Sequence, residues 1–184
     1  PPQRGIVAYF RAIADTIDLR IVAYNVPGRT ASNVAAETTL ELADHPNIVA
    51  VKEASGNLAQ ITQILRHRPH DFSVLSGDDA LTLAVMVAGG DGVTSVTSNA
   101  TPALVAQLCA AARRGDYDDA RAIDSRLAPW THAAFVESNP IPVKAALAMM
   151  KMMGDNLRLP LVPLAPHHHA TVRAALVSVG ALTA

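Results

Sequence analysis

The chain has 184 residues, half of them apolar, and a formal net charge of −1, which is ample for a buried core and fits one domain or part of one. Near-neutral charge argues against a nucleic-acid partner, because phosphate binding needs a concentrated basic surface. No uninterrupted apolar run approaches the roughly 20 residues that cross a bilayer, no signal peptide opens the chain, and the single cysteine, Cys109, cannot form an internal disulfide. No membrane partner and a reduced, cytoplasmic setting are therefore expected.

The chain opens on Pro1-Pro2 rather than methionine, so further residues upstream are expected. Ile6, Val7, Phe10, Ile13, Ala14 and Ile17 have helical spacing, and Pro2 suits a helix start. The apolar stretch Ile21 to Val26, closed by Pro27-Gly28, reads as a buried strand ending in a turn. Ser32 is a candidate cap for the next helix, which the pattern carries to about Ala43 before Pro46. Ile48 to Val51 is a second short strand, and Asn57 or Gly56 precedes a helix through about Arg66. Phe72 to Leu75 is a third strand, followed by Ser76-Gly77-Asp78 and a helix to about Ala88. Gly92 to Val96 is a fourth, and Thr101-Pro102 opens another helix.

Strand and helix thus alternate four times, with continuously apolar strands. That pattern belongs to a parallel sheet covered on both faces by helices. From about Tyr117 onward only helices are expected, interrupted at Asn139-Pro140-Ile141-Pro142. The last of them carries Val172, Ala175, Leu176 and Val179. Four such units fit a small open doubly wound sheet or half of a (β/α)8 barrel, which needs about 250 residues when complete. Periodicity leaves the two open.

In parallel α/β folds, working groups gather at the C-terminal ends of strands. Tyr24 and Asn25 close the first strand, Lys52 and Glu53 the second, Ser76 to Asp79 the third, and Thr94 to Asn99 follow the fourth. Lys52 is the sharpest signal. The chain has twelve arginines but only three lysines, and Lys52 continues the apolar run Ile48-Val49-Ala50-Val51. Alternation places it on one face with the small residues Ala50 and Ala54. It reads as a strand-end ion pair with a carboxylate such as Glu53, or as an amine nucleophile. A free lysine has a pKa of about 10.4; burial among apolar groups lowers it, and the neutral amine attacks a ketone to form an imine. Tyr24 is either a core tyrosine or a phenol that shuttles protons beside such a lysine. Arg29, just past the turn, is either solvated or a clamp for a carboxylate.

Other motifs carry less. Gly89-Gly90-Asp91-Gly92 precedes a strand rather than following one, which makes it a poor phosphate loop. His167-His168-His169 cannot all face one ion on a helix, so they read as a polar surface start and no metal site is expected. Cys109 reads as a buried small hydrophobe.

Taken together, Tyr24-Asn25-Val26-Pro27-Gly28-Arg29-Thr30, Val51-Lys52-Glu53-Ala54-Ser55-Gly56-Asn57, Leu75-Ser76-Gly77-Asp78-Asp79, Gly90-Asp91-Gly92-Val93-Thr94-Ser95-Val96 and Asn139-Pro140-Ile141-Pro142-Val143-Lys144 resemble the dihydrodipicolinate synthase/N-acetylneuraminate lyase family over nearly the whole chain. The resemblance implies an α/β fold: residues 1–115 as the second half of a (β/α)8 barrel (strands five to eight), and 116–184 as a C-terminal helical region. It implies Lys52 as the Schiff-base lysine, Tyr24 as proton donor and acceptor, and Gly77 and Thr94 as lining of a pyruvate pocket. Thr94 stands where the family usually has an apolar residue. Arg29 favours the synthase branch, where that position holds the carboxylate of L-aspartate-4-semialdehyde.

The activity so implied is a class I lyase condensing pyruvate with that aldehyde to 4-hydroxy-tetrahydrodipicolinate, in lysine and diaminopimelate biosynthesis. It needs no cofactor beyond the covalent imine, and it implies a homo-oligomer, a tetramer in the full-length family. The match begins at the fourth barrel helix, so this chain alone is expected to have little activity. The rivals are another pyruvate-dependent 2-keto acid aldolase of the same family and a non-catalytic truncated product.

Overall fold

The computed structural model describes residues 1–183, which form two compact units, Pro1–Thr94 and a second beginning at Ser95. The first contains α1 (Gln3–Ala14), β1 (Ile21–Asn25), α2 (Pro27–Thr30), α3 (Ala36–Ala43), β2 (Ile48–Glu53), α4 (Leu58–His67), β3 (Ser73–Ser76), α5 (Thr82–Val87) and β4 (Gly92–Val93). The strands form one sheet in the order β1-β2-β3-β4, every neighbouring pair parallel.

Strand order separates the two architectures that periodicity left open. A doubly wound sheet reverses its strand order at a switch point and carries helices on both faces. Here the order is strictly sequential. Residues of α1, α3, α4 and α5 (Ile6, Leu42, Ile61, Ile64 and Val85 among them) bury in one cluster with Ala23, Val51 and Val74 of the strands. Helices on a single face of a sequentially wound parallel sheet make the wall of a (β/α) barrel. The fold is that of a partial barrel.

The expectation of helices on both faces is therefore corrected. Strand β1 shows the reason, since its burial alternates: Ala23 and Asn25 face the helices, whereas Val22 is 48% and Tyr24 42% exposed. An apolar strand in a barrel wall has an outer face on helices and an inner face of different company. Each fully buried Ile or Leu of the outer layer, such as Leu42, Ile61 and Ile64, contributes about 1.5–3 kcal/mol.

Two local expectations also change. Pro27 starts a one-turn helix at once, ended by Ala31 in the left-handed region (φ 54°). Ser32 stays in that turn, bonded to Thr30 through both its N–H and its carbonyl, and does not cap α3. That helix end is met instead by Gln3, whose Oε1 accepts from the Ala35 N–H at 3.0 Å and the Thr38 hydroxyl at 2.7 Å. The fourth strand is shorter than expected, although the Asp91 N–H donating to Val74 O and the Thr94 N–H donating to Ser76 O, at 2.9 and 2.8 Å, extend its ladder.

The second unit is helical: α6 (Pro102–Arg113), α7 (Tyr117–Ala133), α8 (Ile141–Met149) and α9 (His169–Ser178). Its centre is Trp130, fully buried with Ala133, Ala146, Val172 and Leu176. A buried indole N–H needs an acceptor, and Thr97 O supplies it at 3.0 Å. Asp116 caps α7 by accepting from the Asp119 N–H. Cys109 on α6 is half-buried rather than fully buried, and burial pushes its thiol up, partly offset by Arg113. His167 and His168 end a short turn with their rings tilted at 48° and centroids 4.0 Å apart, and His169 begins α9. No helix among the described residues is long and apolar enough to cross a membrane.

Candidate active site

The parallel register makes Tyr24 the neighbour of Lys52, and Asn25 the neighbour of Glu53. Because successive side chains on a strand leave opposite faces, the first pair points away from the helices and the second toward them. Two side-by-side pairs therefore have opposite environments.

On the inner face, the Lys52 ammonium sits over the Tyr24 ring, with Nζ 4.1 Å from the ring centroid. A cation over a ring face is attracted by its quadrupole, by about 0.5–1 kcal/mol at an exposed site. Lys52 is half-buried and Tyr24 exposed, so this lysine is not sealed among apolar groups, the burial that the amine-nucleophile reading called on; its Nζ lies against the Tyr24 ring. The stem is held more tightly than the head. Gly77, just past β3, donates its N–H to Glu53 O at 2.7 Å. A Cβ on residue 77 would stand 2.7 Å from Ala54 Cβ and 3.1 Å from Lys52 Cγ. Only glycine lets the end of β3 come this close to the lysine.

On the outer face, Glu53 and Asn25 are each 1% exposed. Glu53 Oε1 accepts from Asn25 Nδ2 at 3.1 Å and the Ser55 N–H at 2.7 Å; Oε2 accepts from Asn25 Nδ2 and Gln60 Nε2, both at 3.0 Å. The reading of Lys52 as the ion-pair partner of Glu53 is overturned, since the carboxylate lies on the far side of the strand. Asn25 and Glu53 were noted only as polar strand ends, Glu53 besides as a possible ion-pair partner, and Gln60 was not singled out. A carboxylate next to a strand lysine, in a helix-facing position, was the available signal.

Arg29 is exposed on α2, one turn beyond β1, with its N–H on Val26 O at 2.9 Å. Thr94 is exposed beyond β4, and alternation from Gly92, the register neighbour of Leu75, puts it on the Lys52 side of the sheet. Both share the C-terminal edge with Lys52, Tyr24 and Gly77, and neither forms a hydrogen bond or ion pair with Lys52. Among the described residues, no group of three His, Cys, Asp or Glu is placed to hold a metal ion. What the edge offers chemically is an amine beside a phenol, and among the described residues no carboxylate pairs with that amine.

The sequence profile of the dihydrodipicolinate synthetase family matches residues 1–179. The chain belongs to that family. Among relatives of this family member, the 4-hydroxy-tetrahydrodipicolinate synthase of Chlorobium limicola is 52% identical over 181 residues, covering 98% of this chain and 61% of that protein. The crystal structure of dihydrodipicolinate synthase from Thermotoga maritima is 42% identical and superposes with a TM-score of 0.97, over 99% of this chain and 63% of that one. The chloride-inhibited dihydrodipicolinate synthase of Acinetobacter baumannii, complexed with pyruvate, is 37% identical with a TM-score of 0.96, over 99% of this chain and 62% of that one. This family member thus spans about three-fifths of the length of the relatives it matches.

Proposed function

We propose that this chain carries the Schiff-base lysine of a class I lyase that condenses pyruvate with L-aspartate-4-semialdehyde to 4-hydroxy-tetrahydrodipicolinate, in lysine and diaminopimelate biosynthesis. The observation that carries the reading is the Lys52 ammonium poised over Tyr24 at adjacent strand ends. The names of the relatives and the pyruvate complex of the Acinetobacter protein support it.

The Lys52 amine adds to the keto carbon of pyruvate and water leaves, giving an imine. Protonated, the imine draws electrons from the methyl carbon, which loses a proton to become an enamine; Tyr24 is the proton carrier. The electron withdrawal is that of the iminium itself, so no cofactor enters the scheme. The enamine carbon bonds to the aldehyde carbon of the second substrate, whose carboxylate Arg29 holds. The amine of that substrate then closes on the imine carbon and releases Lys52. Gly77 keeps room beside the lysine stem, and Thr94 lines the keto-acid side. A homotetrameric, cytoplasmic enzyme completes the proposal.

The test is reductive trapping. Borohydride with pyruvate should add a reduced three-carbon adduct to Lys52, read by peptide mass spectrometry, and Lys52→Ala should abolish it. An adduct on another lysine, or none in the active full-length protein, would sink the assignment.

A further inference from the structure

We infer that Glu53 and Asn25 are positioning residues for Lys52, Tyr24 and the segment that carries Arg29. The inference rests on the Schiff-base reading above and adds residues that touch no substrate.

Glu53 is buried and titratable, and the proposed chemistry does not use it. Each of its oxygens accepts two hydrogen bonds at 2.7–3.1 Å, which fills the roughly four acceptor positions of a carboxylate. The donors come from three places: Asn25 at the end of β1, Ser55 just after β2, and Gln60 on α4. Asn25 in turn holds both ends of a loop. Its own carbonyl accepts from the Ala54 N–H at 2.8 Å. Its side-chain oxygen accepts from the Val34 N–H at 2.9 Å, and its Nδ2 reaches Asn33 Oδ1 at 2.9 Å and Val34 O at 3.3 Å. The chain from Val26 to Asn33, with Arg29 in its middle, is pinned at its exit to the residue from which it departs. The carboxylate sits at the hub.

The adjacency gives the hub its effect. Glu53 follows Lys52, Asn25 follows Tyr24, and the two pairs are register neighbours. A tie between Glu53 and Asn25 on the outer face fixes how far Tyr24 stands from Lys52 on the inner face. The Ala54 N–H bond to Asn25 O closes the backbone ladder just beyond this pair. A neutral amide would not substitute. Glutamine at 53 offers one acceptor and turns two N–H groups toward the donors of Asn25, Ser55 and Gln60.

The experiment uses the full-length protein and normalises every rate to active sites counted by borohydride–pyruvate labelling of Lys52. Glu53→Gln should lower turnover per labelled site about 10- to 100-fold, the scale of a sub-ångström to ångström misplacement. The exchanged pair Asn25→Asp/Glu53→Gln, which restores one donor facing one acceptor, should recover most of that loss. A milder variant, Gln60→Met, removes one donor and should lower the per-site rate a few-fold. It serves with the exchanged pair if Glu53→Gln does not fold. A role in stability alone would reduce the number of labelled sites and leave the rate per site unchanged in all three variants. That result, or failure of the exchanged pair to exceed Glu53→Gln, overturns the inference. Absence of Lys52 labelling in the unaltered protein instead overturns the Schiff-base reading, so the two failures are distinguishable.

Discussion

The backbone of Gly77 packs against the stem of Lys52 so closely that a Cβ at residue 77 would stand 3.1 Å from Lys52 Cγ, and 2.7 Å from Ala54 Cβ. Neither neighbour is the free end of a flexible chain: one is a methyl fixed to backbone, the other the second carbon of the lysine stem. Gly77→Ala is therefore expected to push the end of β3 from β2, costing about 1–3 kcal/mol of stability. It should also slow Lys52 labelling by pyruvate and borohydride. Gly5→Ala, in α1 with nothing nearer than 3.7 Å to its added carbon, should be stabilising by about 0.5–1 kcal/mol. Chemical denaturation of both, with labelling rates, checks the contrast. Equal labelling of Gly77→Ala and the parent would remove the steric account.

Tyr24 combines a ring beneath the ammonium with a hydroxyl, and the two are separable. Tyr24→Phe keeps the ring and should leave imine trapping at Lys52 largely intact. Turnover should fall about 10²- to 10⁴-fold with loss of the proton carrier. Tyr24→Ala should impair both. Stopped borohydride trapping alongside steady-state rates distinguishes them, and unimpaired turnover in Tyr24→Phe would contradict the proton-carrier role.

At the opposite end of the strands, Arg68 pairs with Asp91 and also donates to Phe72 O and Gly89 O, while Asp91 accepts from the Val74 N–H at 2.8 Å. Removing the acceptor leaves its donors unsatisfied. Asp91→Ala is expected to lower unfolding free energy by about 1–3 kcal/mol. Because this clip ties the N-terminal ends of β3 and β4, the rate per labelled site should not change. Thermal unfolding and site-normalised turnover read the two quantities.

Burial raises the carboxyl of Asp124 on α7 above its ordinary value of 3.8. The sign follows from linkage: a carboxyl whose folded pKa exceeds its unfolded pKa costs stability when both states are ionised, and costs nothing once both are protonated. Asp124→Asn should therefore raise the melting temperature slightly at pH 7, solvent screening of this partly exposed carboxyl keeping the gain small. The advantage should fade as the pH falls through 3.8, the ordinary value. A gain of the same size at pH 3 would show that charge is not the cause.

Most helices were legible in the chain itself. Apolar residues at helical spacing marked α1 and α9, and of the two candidates for the start of α4, Asn57 is the cap, its side chain accepting from the Gln60 N–H. Lys52 stood out through its rarity and its place at the end of an apolar run. The start of α3 was misread because its cap is Gln3, more than thirty residues upstream. Local pattern has no access to a partner so distant. The tie between Asn25 and Glu53 was missed for a related reason: a buried carboxylate is acceptable only where several donors converge, and convergence is a property of the packed chain.

Alternation of side chains is a covalent fact, so the sequence alone determined that Lys52 and Glu53 leave β2 on opposite sides, and that four strands alternate with helices. Only the tertiary structure decided which side meets the helices, and that the strands line up in sequential order. The same packing set Tyr24 under Lys52 while Asn25 holds Glu53. Those outcomes depend on which surfaces bury together across segments some thirty residues apart, and periodicity, which reports only the next few residues, is the same in either arrangement.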